Sequence, residues 1–167
     1  MSLHSKNQGF TLIEMLVYLG IFLLVSTASV TLLLSLDEFI DQYQVETALY
    51  RSGTNIMEQV IVELRQADQF DAVNSVIGNP STGVLAIANG AATTRFTKSG
   101  NNIVLTKSGV NYGNVNTGSV TVTGFTVYRY TTTNGTLVRV HLQLSAVVDE
   151  TTKTLDLYGA AMIRGEI

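Results

Sequence analysis

The feature that most constrains this chain is a nearly uninterrupted apolar run near its start, GFTLIEMLVYLGIFLLVSTASVTLLLSL, spanning residues 9–36. As a helix, residues 10–36 would reach about 40 Å, against a hydrocarbon core of about 30 Å, so the run is long enough to cross a membrane. One charge interrupts it, Glu14. A carboxylate inside a spanning helix costs roughly 2.5–3.5 kcal/mol on insertion scales, so it needs a partner or a role.

Two ordinary accounts of such a run leave that acid unexplained. A secretory signal ending at Ser26-Thr27-Ala28 has the required small residues, but its apolar core would contain a charge and the run resumes at Val30. An uncleaved signal anchor explains neither Gly9 nor Glu14. The residues Gly9-Phe10-Thr11-Leu12-Ile13-Glu14, after a short leader and before a continuing apolar run, resemble the type IV prepilin motif. The resemblance implies that a prepilin peptidase cuts between Gly9 and Phe10 and that the new amine of Phe10 is methylated. It also implies that Glu14, at the fifth mature position, acts in assembly. The physics of the pattern is a charge match. Cleavage would place an ammonium group in an apolar layer, and Glu14 offers the opposite charge one helical turn away or to a neighbouring subunit. Either pairing lowers the cost of burying both ions, and pairing between subunits fixes axial register.

The leader carries Lys6, whereas Asp37-Glu38 follows the run. Positive-inside bias then places the N-terminus in the cytoplasm and the rest outside a single-pass plasma membrane. The domains expected are a leader at 1–9, a membrane and assembly helix at 10–36, and an extracytoplasmic region at 37–167. The 167 residues include no cysteine, which excludes disulfides, thiol chemistry and cysteine-ligated metals. Here the chain departs from many Gram-negative major pilins, which close a C-terminal loop with a disulfide. The proline frequent within the family's apolar segment is also missing, since the only proline is Pro80. Gly20 and Ser26-Thr27-Ala28-Ser29 are the places where the helix would soften.

Nothing between Leu36 and Phe70 breaks a helix except Gly53, where a bend or a close contact is expected. Apolar residues at helical spacing, Met57, Ile61 and Leu64 among them, predict a face that meets a β-sheet. One helix is expected over roughly residues 10–70. Residues 76–83, with Asn79-Pro80, read as a loop. Strands are expected at 84–88, 93–98 and 103–107, the last two joined by Ser99-Gly100-Asn101-Asn102. Residues 109–118 fit a loop or an edge strand.

The C-terminal third is more regular. Residues 120–130 are β-branched and aromatic, with Gly124 marking a bulge, and Asn134-Gly135 signals a hairpin. Val138, Val140, Leu142, Leu144 and Ala146 then alternate with Arg139, His141, Gln143 and Ser145, as in a strand with one buried face. A turn at 149–153 leads to a last strand at 154–163. This meander needs a cover, and the only amphipathic candidate is the helix of residues 37–70. The fold class expected is α+β, a long N-terminal helix packed on antiparallel sheet, with the lollipop outline of a pilin.

No catalytic constellation emerges. His141 lies on the polar side of its strand and reads as a solvated residue without partners. Gly-x-Ser-x-Gly, HExxH and phosphate-binding glycine loops are absent. Asp149-Glu150 supplies too few oxygens for a calcium site. No metal and no cofactor is called for, and no enzyme. Arg95, Lys98, Lys107, Arg129, Arg139, Lys153 and Arg164 are scattered in a chain of net charge −3, which argues against nucleic acid. Residues 37–71 hold eight acids and two bases, and residues 72–167 four acids and seven bases. That split reads as a solvated acidic helix face, or as complementary packing between neighbouring subunits.

The resemblance implies a structural subunit of a type IV pilus or type II secretion pseudopilus. Its partners would be prepilin peptidase, other pilin or pseudopilin subunits, an inner-membrane assembly platform and membrane lipid before assembly. The long cysteine-free β region, and Ile61-Val62-Glu63-Leu64-Arg65-Gln66-Ala67 at the helix end, look like the larger minor and J-type subunits, so a subunit priming or capping the filament is preferred over a major one. The alternatives are a signal-anchored binding module or adhesin that never polymerises and, more remotely, a membrane-tethered enzyme.

Overall fold

The structure is a computed structural model that describes residues 11–133, 135–148 and 151–163. Helix α1 runs Leu12–Gln66 and is followed, among the described residues, by eight strands. They are β1 Gln69–Phe70, β2 Val84–Asn89, β3 Ala92–Ser99, β4 Asn102–Lys107, β5 Val110–Asn114, β6 Thr121–Thr132, β7 Gly135–Val148 and β8 Thr151–Ile163. The class is α+β with all strand pairs antiparallel, as the residue pattern predicts. The chain divides into two compact units, residues 1–41 and 42–167.

In the first unit, residues 12–41 of α1 bury no apolar side chain; Leu12 is 83% exposed and Leu24 72%. The apolar residues go all the way round the helix, so no single face could be covered by one neighbour. Four of its hydroxyl groups are satisfied within the helix: Thr27 Oγ1 donates to the Leu23 carbonyl, Ser29 Oγ to Val25, Thr31 Oγ1 to Thr27 and Ser35 Oγ to Thr31. Back-bonding of this kind leaves these four donors with no need of water, which suits an apolar solvent.

In the second unit α1 turns amphipathic. Leu49, Ser52, Gly53, Ile56, Val60 and Leu64 form its buried stripe, at the three- and four-residue steps of one helix face. The stripe is thus centred on Ile56 and Val60. Of the expected Met57/Ile61/Leu64 face, only Leu64 is fully buried, while Met57 and Ile61 form a half-buried shoulder. Gly53 is a close contact: a Cβ there would lie 2.5 Å from Leu157 Cδ1 and 3.0 Å from Leu144 Cδ1.

Two sheets form. The first has the order β1-β2-β3-β4-β5 and the second β6-β7-β8. β1 and the split into two sheets go beyond the sequence reading, because a two-residue strand has no periodicity to detect. The bulge expected at Gly124 is present as a register shift between Val122 and Gly124. Val122 faces inward before it and Phe125 and Val127 after it, so the inward parity switches as a bulge requires. The Ser99–Asn102 hairpin is as expected, and residues 110–114 become the edge strand β5.

Thr132 pairs with Gly135, so Gly135 opens the returning strand instead of sitting inside the turn; Asn134 lies outside the described residues. Val148 pairs with Thr151, which shortens the turn expected at 149–153 and puts Lys153 in β8 opposite Ala146. Asp149 and Glu150 are outside the described residues. The core joins the helix stripe to Leu85, Ile87, Phe96 and Ile103 of one sheet and Phe125, Val127, Val140, Leu142 and Leu144 of the other.

Residues 76–83 are more ordered than a loop reading implies. Gly78 N donates to Val127 O at 2.9 Å and Phe125 N to Pro80 O at 3.0 Å, so the segment covers the outer edge of β6. Gly83 permits this, since a Cβ there would fall 1.7 Å from the Phe125 carbonyl oxygen. Buried Asn116 ties the β5–β6 connection to the β3–β4 hairpin: its Oδ1 accepts from Ile103 N at 3.1 Å, and its Nδ2 donates to Val120 O at 2.8 Å and Asn102 Oδ1 at 3.0 Å.

Candidate functional site

The site marked by the sequence begins at a bond outside the described residues, Gly9–Phe10. From Thr11 onward its geometry is visible. Thr11 precedes the first helical residue, and Glu14 occupies the third helical position. Glu14 N donates to Thr11 Oγ1 at 3.4 Å, while Thr11 N donates to Glu14 Oε2 at 3.2 Å. Thr11 Oγ1 donates to the same carboxylate oxygen at 3.2 Å. These reciprocal bonds form a capping box, which satisfies backbone donors that every helix start leaves open. A carboxylate in the first turn is also favoured by the helix dipole, by about 0.3–1 kcal/mol.

This arrangement fixes where Glu14 points. Its carboxylate turns back toward the start of the chain and is held against Thr11 N. Thr11 is a helix-capping partner of Glu14 that apolar patterning does not reveal. The Thr-x-x-Glu spacing at a helix start was the signal that could have found it.

The second polar cluster lies on the outer face of β7 and β8, and it corrects the reading of His141. The residue does lie on the polar side of its strand, but it has partners. Its Nε2 lies 2.8 Å from Asp156 Oδ1, and its ring stacks on Tyr158 at 4.3 Å and 8°. Gln143 Nε2 donates to the same Asp156 oxygen at 3.0 Å, and the Arg139 guanidinium is 5.0 Å from the centroid of the Tyr158 ring. Register explains the cluster, since His141 faces Tyr158 and Gln143 faces Asp156 across the strand pair. The hydrogen bond from His141, then that from Gln143, holds the Asp156 carboxyl below its ordinary value. This cross-strand network joins the outer faces of β7 and β8 through side chains alone.

A trough of about 540 Å³ on the first sheet is lined by Asp71, Arg95, Thr97, Thr106 and Asn111, among others. The Asp71 carboxylate there already accepts from the side chain and backbone of Asn74 and from the Val73 backbone, bonds that hold its pKa low. Among the described residues no group of three or more His, Cys, Asp or Glu side chains could hold a metal ion. The bases of the β region are dispersed. Lys107 is paired with Glu63, which also accepts from Thr94 Oγ1; Lys98 caps the Gly100 carbonyl; and Arg129 lies over Phe70. One ion pair thus links the acidic helix to basic sheet inside a single chain.

Residues 4–30 match the family model of the prokaryotic N-terminal methylation motif. The match spans Gly9, Phe10 and Glu14. No curated protein and no solved structure matches the chain.

Proposed function

We propose that the chain is a filament subunit of type IV pilus or type II secretion pseudopilus kind, cut after Gly9, methylated on the amine of Phe10 and assembled through residues 10–36. The observation that carries this reading is the methylation motif over residues 4–30, with Glu14 turned back toward the start of the helix. The motif marks a precursor of pilin or pseudopilin type. Its processing implies prepilin peptidase, and its assembly implies other pilin-type subunits and a membrane platform.

The mechanism is transfer of one apolar surface between two apolar solvents. Before assembly lipid covers residues 12–36, whose all-round exposure requires such a cover. In a filament equivalent helices replace the lipid. The ammonium of Phe10 and the carboxylate of Glu14 then neutralise each other, within a subunit or across two. The pairing is what makes either charge tolerable away from water. Nothing in this mechanism requires catalysis by the chain itself.

The finer reading is a minor subunit that primes or caps the filament, supported by the size of its β region. Copy number in purified filaments separates this from a major subunit. The principal test is mass spectrometry of the mature N-terminus, which should begin at methylated Phe10. Glu14→Leu should insert into membrane normally and enter filaments at least about tenfold less often, given the cost of an unpaired ammonium. An intact leader, or undiminished incorporation of the variant, would defeat the proposal.

A further inference from the structure

We infer that β8 is a docking edge, accepting an extended strand from a neighbouring filament subunit with one of its apolar side chains seated between β8 and α1. The identity of the neighbour rests on the assembly reading above; the site itself does not. The three-stranded sheet has two outer edges. Residues 77–80 cover that of β6, through the Gly78–Val127 and Pro80–Phe125 hydrogen bonds. Among the described residues no backbone group from outside the sheet bonds β8.

From Leu157 to Ile163, beyond Lys153 and Asp156, the open edge is also unprotected by its sequence. Exposed edges are normally blunted by shortness, bulges, proline or charge. The other sheet follows that rule: β1 has two residues, and β5 has five with a register shift and a positive φ at Gly113. By contrast, β8 pairs with β7 from Thr151 to Ile163 without a shift, and Leu157–Ile163 contains neither charge nor proline. Beside it lies a groove of about 380 Å³ walled by Thr54, Met57, Glu58 and Ile61 of α1 and by Leu157 and Tyr158 of β8.

These features specify the occupant. A free strand edge offers N–H and C=O groups that repeat every two residues, about 6.6–6.8 Å, and another extended backbone matches that repeat. A lipid chain or a helix could fill the groove but would leave the edge unpaired. A strand added to β8 sends alternate side chains toward α1, so an apolar one there enters the groove. Glu58 at the rim favours a donor, such as a hydroxyl or an amide, on the next residue facing the same way. Opposite Leu157–Ile163 the incoming strand should be uncharged.

The test uses the full chain in detergent micelles and a blocked nonapeptide of alternating valine and threonine as probe. Amide hydrogen exchange is read along β8. The peptide should slow exchange of outward-facing amides between Leu157 and Ile163 by about tenfold at saturation. The same peptide with its pairing-edge nitrogens methylated should give no protection. Thr54→Trp, an exposed helix position that fills the groove, should weaken binding about tenfold while leaving the unfolding midpoint unchanged. Three results would overturn the inference: no protection at millimolar peptide, protection confined to another edge, or equal binding of the methylated peptide. A chain processed at Phe10 that shows no β8 protection rejects this inference and leaves the assembly reading standing.

Discussion

At the scale of single residues, the structure turns on carboxylates that find specific donors. Glu14 caps its own helix, Glu63 takes Lys107, and Asp156 takes His141 and Gln143. Asp156 and Asp71 both have carboxyls held below the ordinary value of 3.8. The folded chain then binds fewer protons than the unfolded chain in the window below that value. Their stabilisation is complete above it and is lost as pH falls through the lowered pKa. Urea midpoints of the full chain in detergent should therefore decline as pH drops below about 4. Asp156→Asn should flatten part of that decline, so that variant and parent converge in acid. A parallel pair of curves would show that the His141–Asp156 contact contributes nothing to folding.

Secondary elements show how glycine sets distances that side chains could not. Gly53 lets α1 approach β7 and β8, and Gly159 lies where a Cβ would meet Met57 Sδ at 2.7 Å. In both cases the obstacle is a flexible side chain that can shift. Gly83 is different because its obstacle is backbone, the Phe125 carbonyl. Gly83→Ala should therefore detach residues 76–83 from β6 and destabilise the fold by roughly 1–3 kcal/mol. Hydrogen exchange at Gly78 and Phe125 should rise well above the parent's, while β7 and β8 amides stay protected. Unchanged exchange at those two amides would show that the segment does not depend on that close approach.

For the molecule as a whole, two units answer to different solvents. Residues 42–167 carry the core, whereas residues 12–36 are apolar and uncovered. Anchoring and folding stability should then separate by mutation. Leu24→Asp adds a charge to the middle of the apolar run and should weaken membrane partitioning by roughly 3 kcal/mol on insertion scales. The unfolding midpoint of the sheets, read by far-UV circular dichroism, should not move. A lowered midpoint would mean that the apolar run supports the β core after all.

Period and composition by themselves determined the long helix, the α+β class, the alternation in β7, the bulge at Gly124 and the motif at Gly9–Glu14. Each is a local signal, written by residues close together in the chain. What touches what was decided only by the tertiary structure. His141 looked solitary because its partners Asp156 and Tyr158 lie on the next strand, and strand register is not a local property. The buried stripe centres on Ile56 and Val60, not on Met57 and Ile61, because the sheets choose which part of a broad apolar face they cover. The covering of β6 by residues 77–80 was hidden for the same reason: a backbone hydrogen bond between distant segments leaves almost no mark on side-chain pattern.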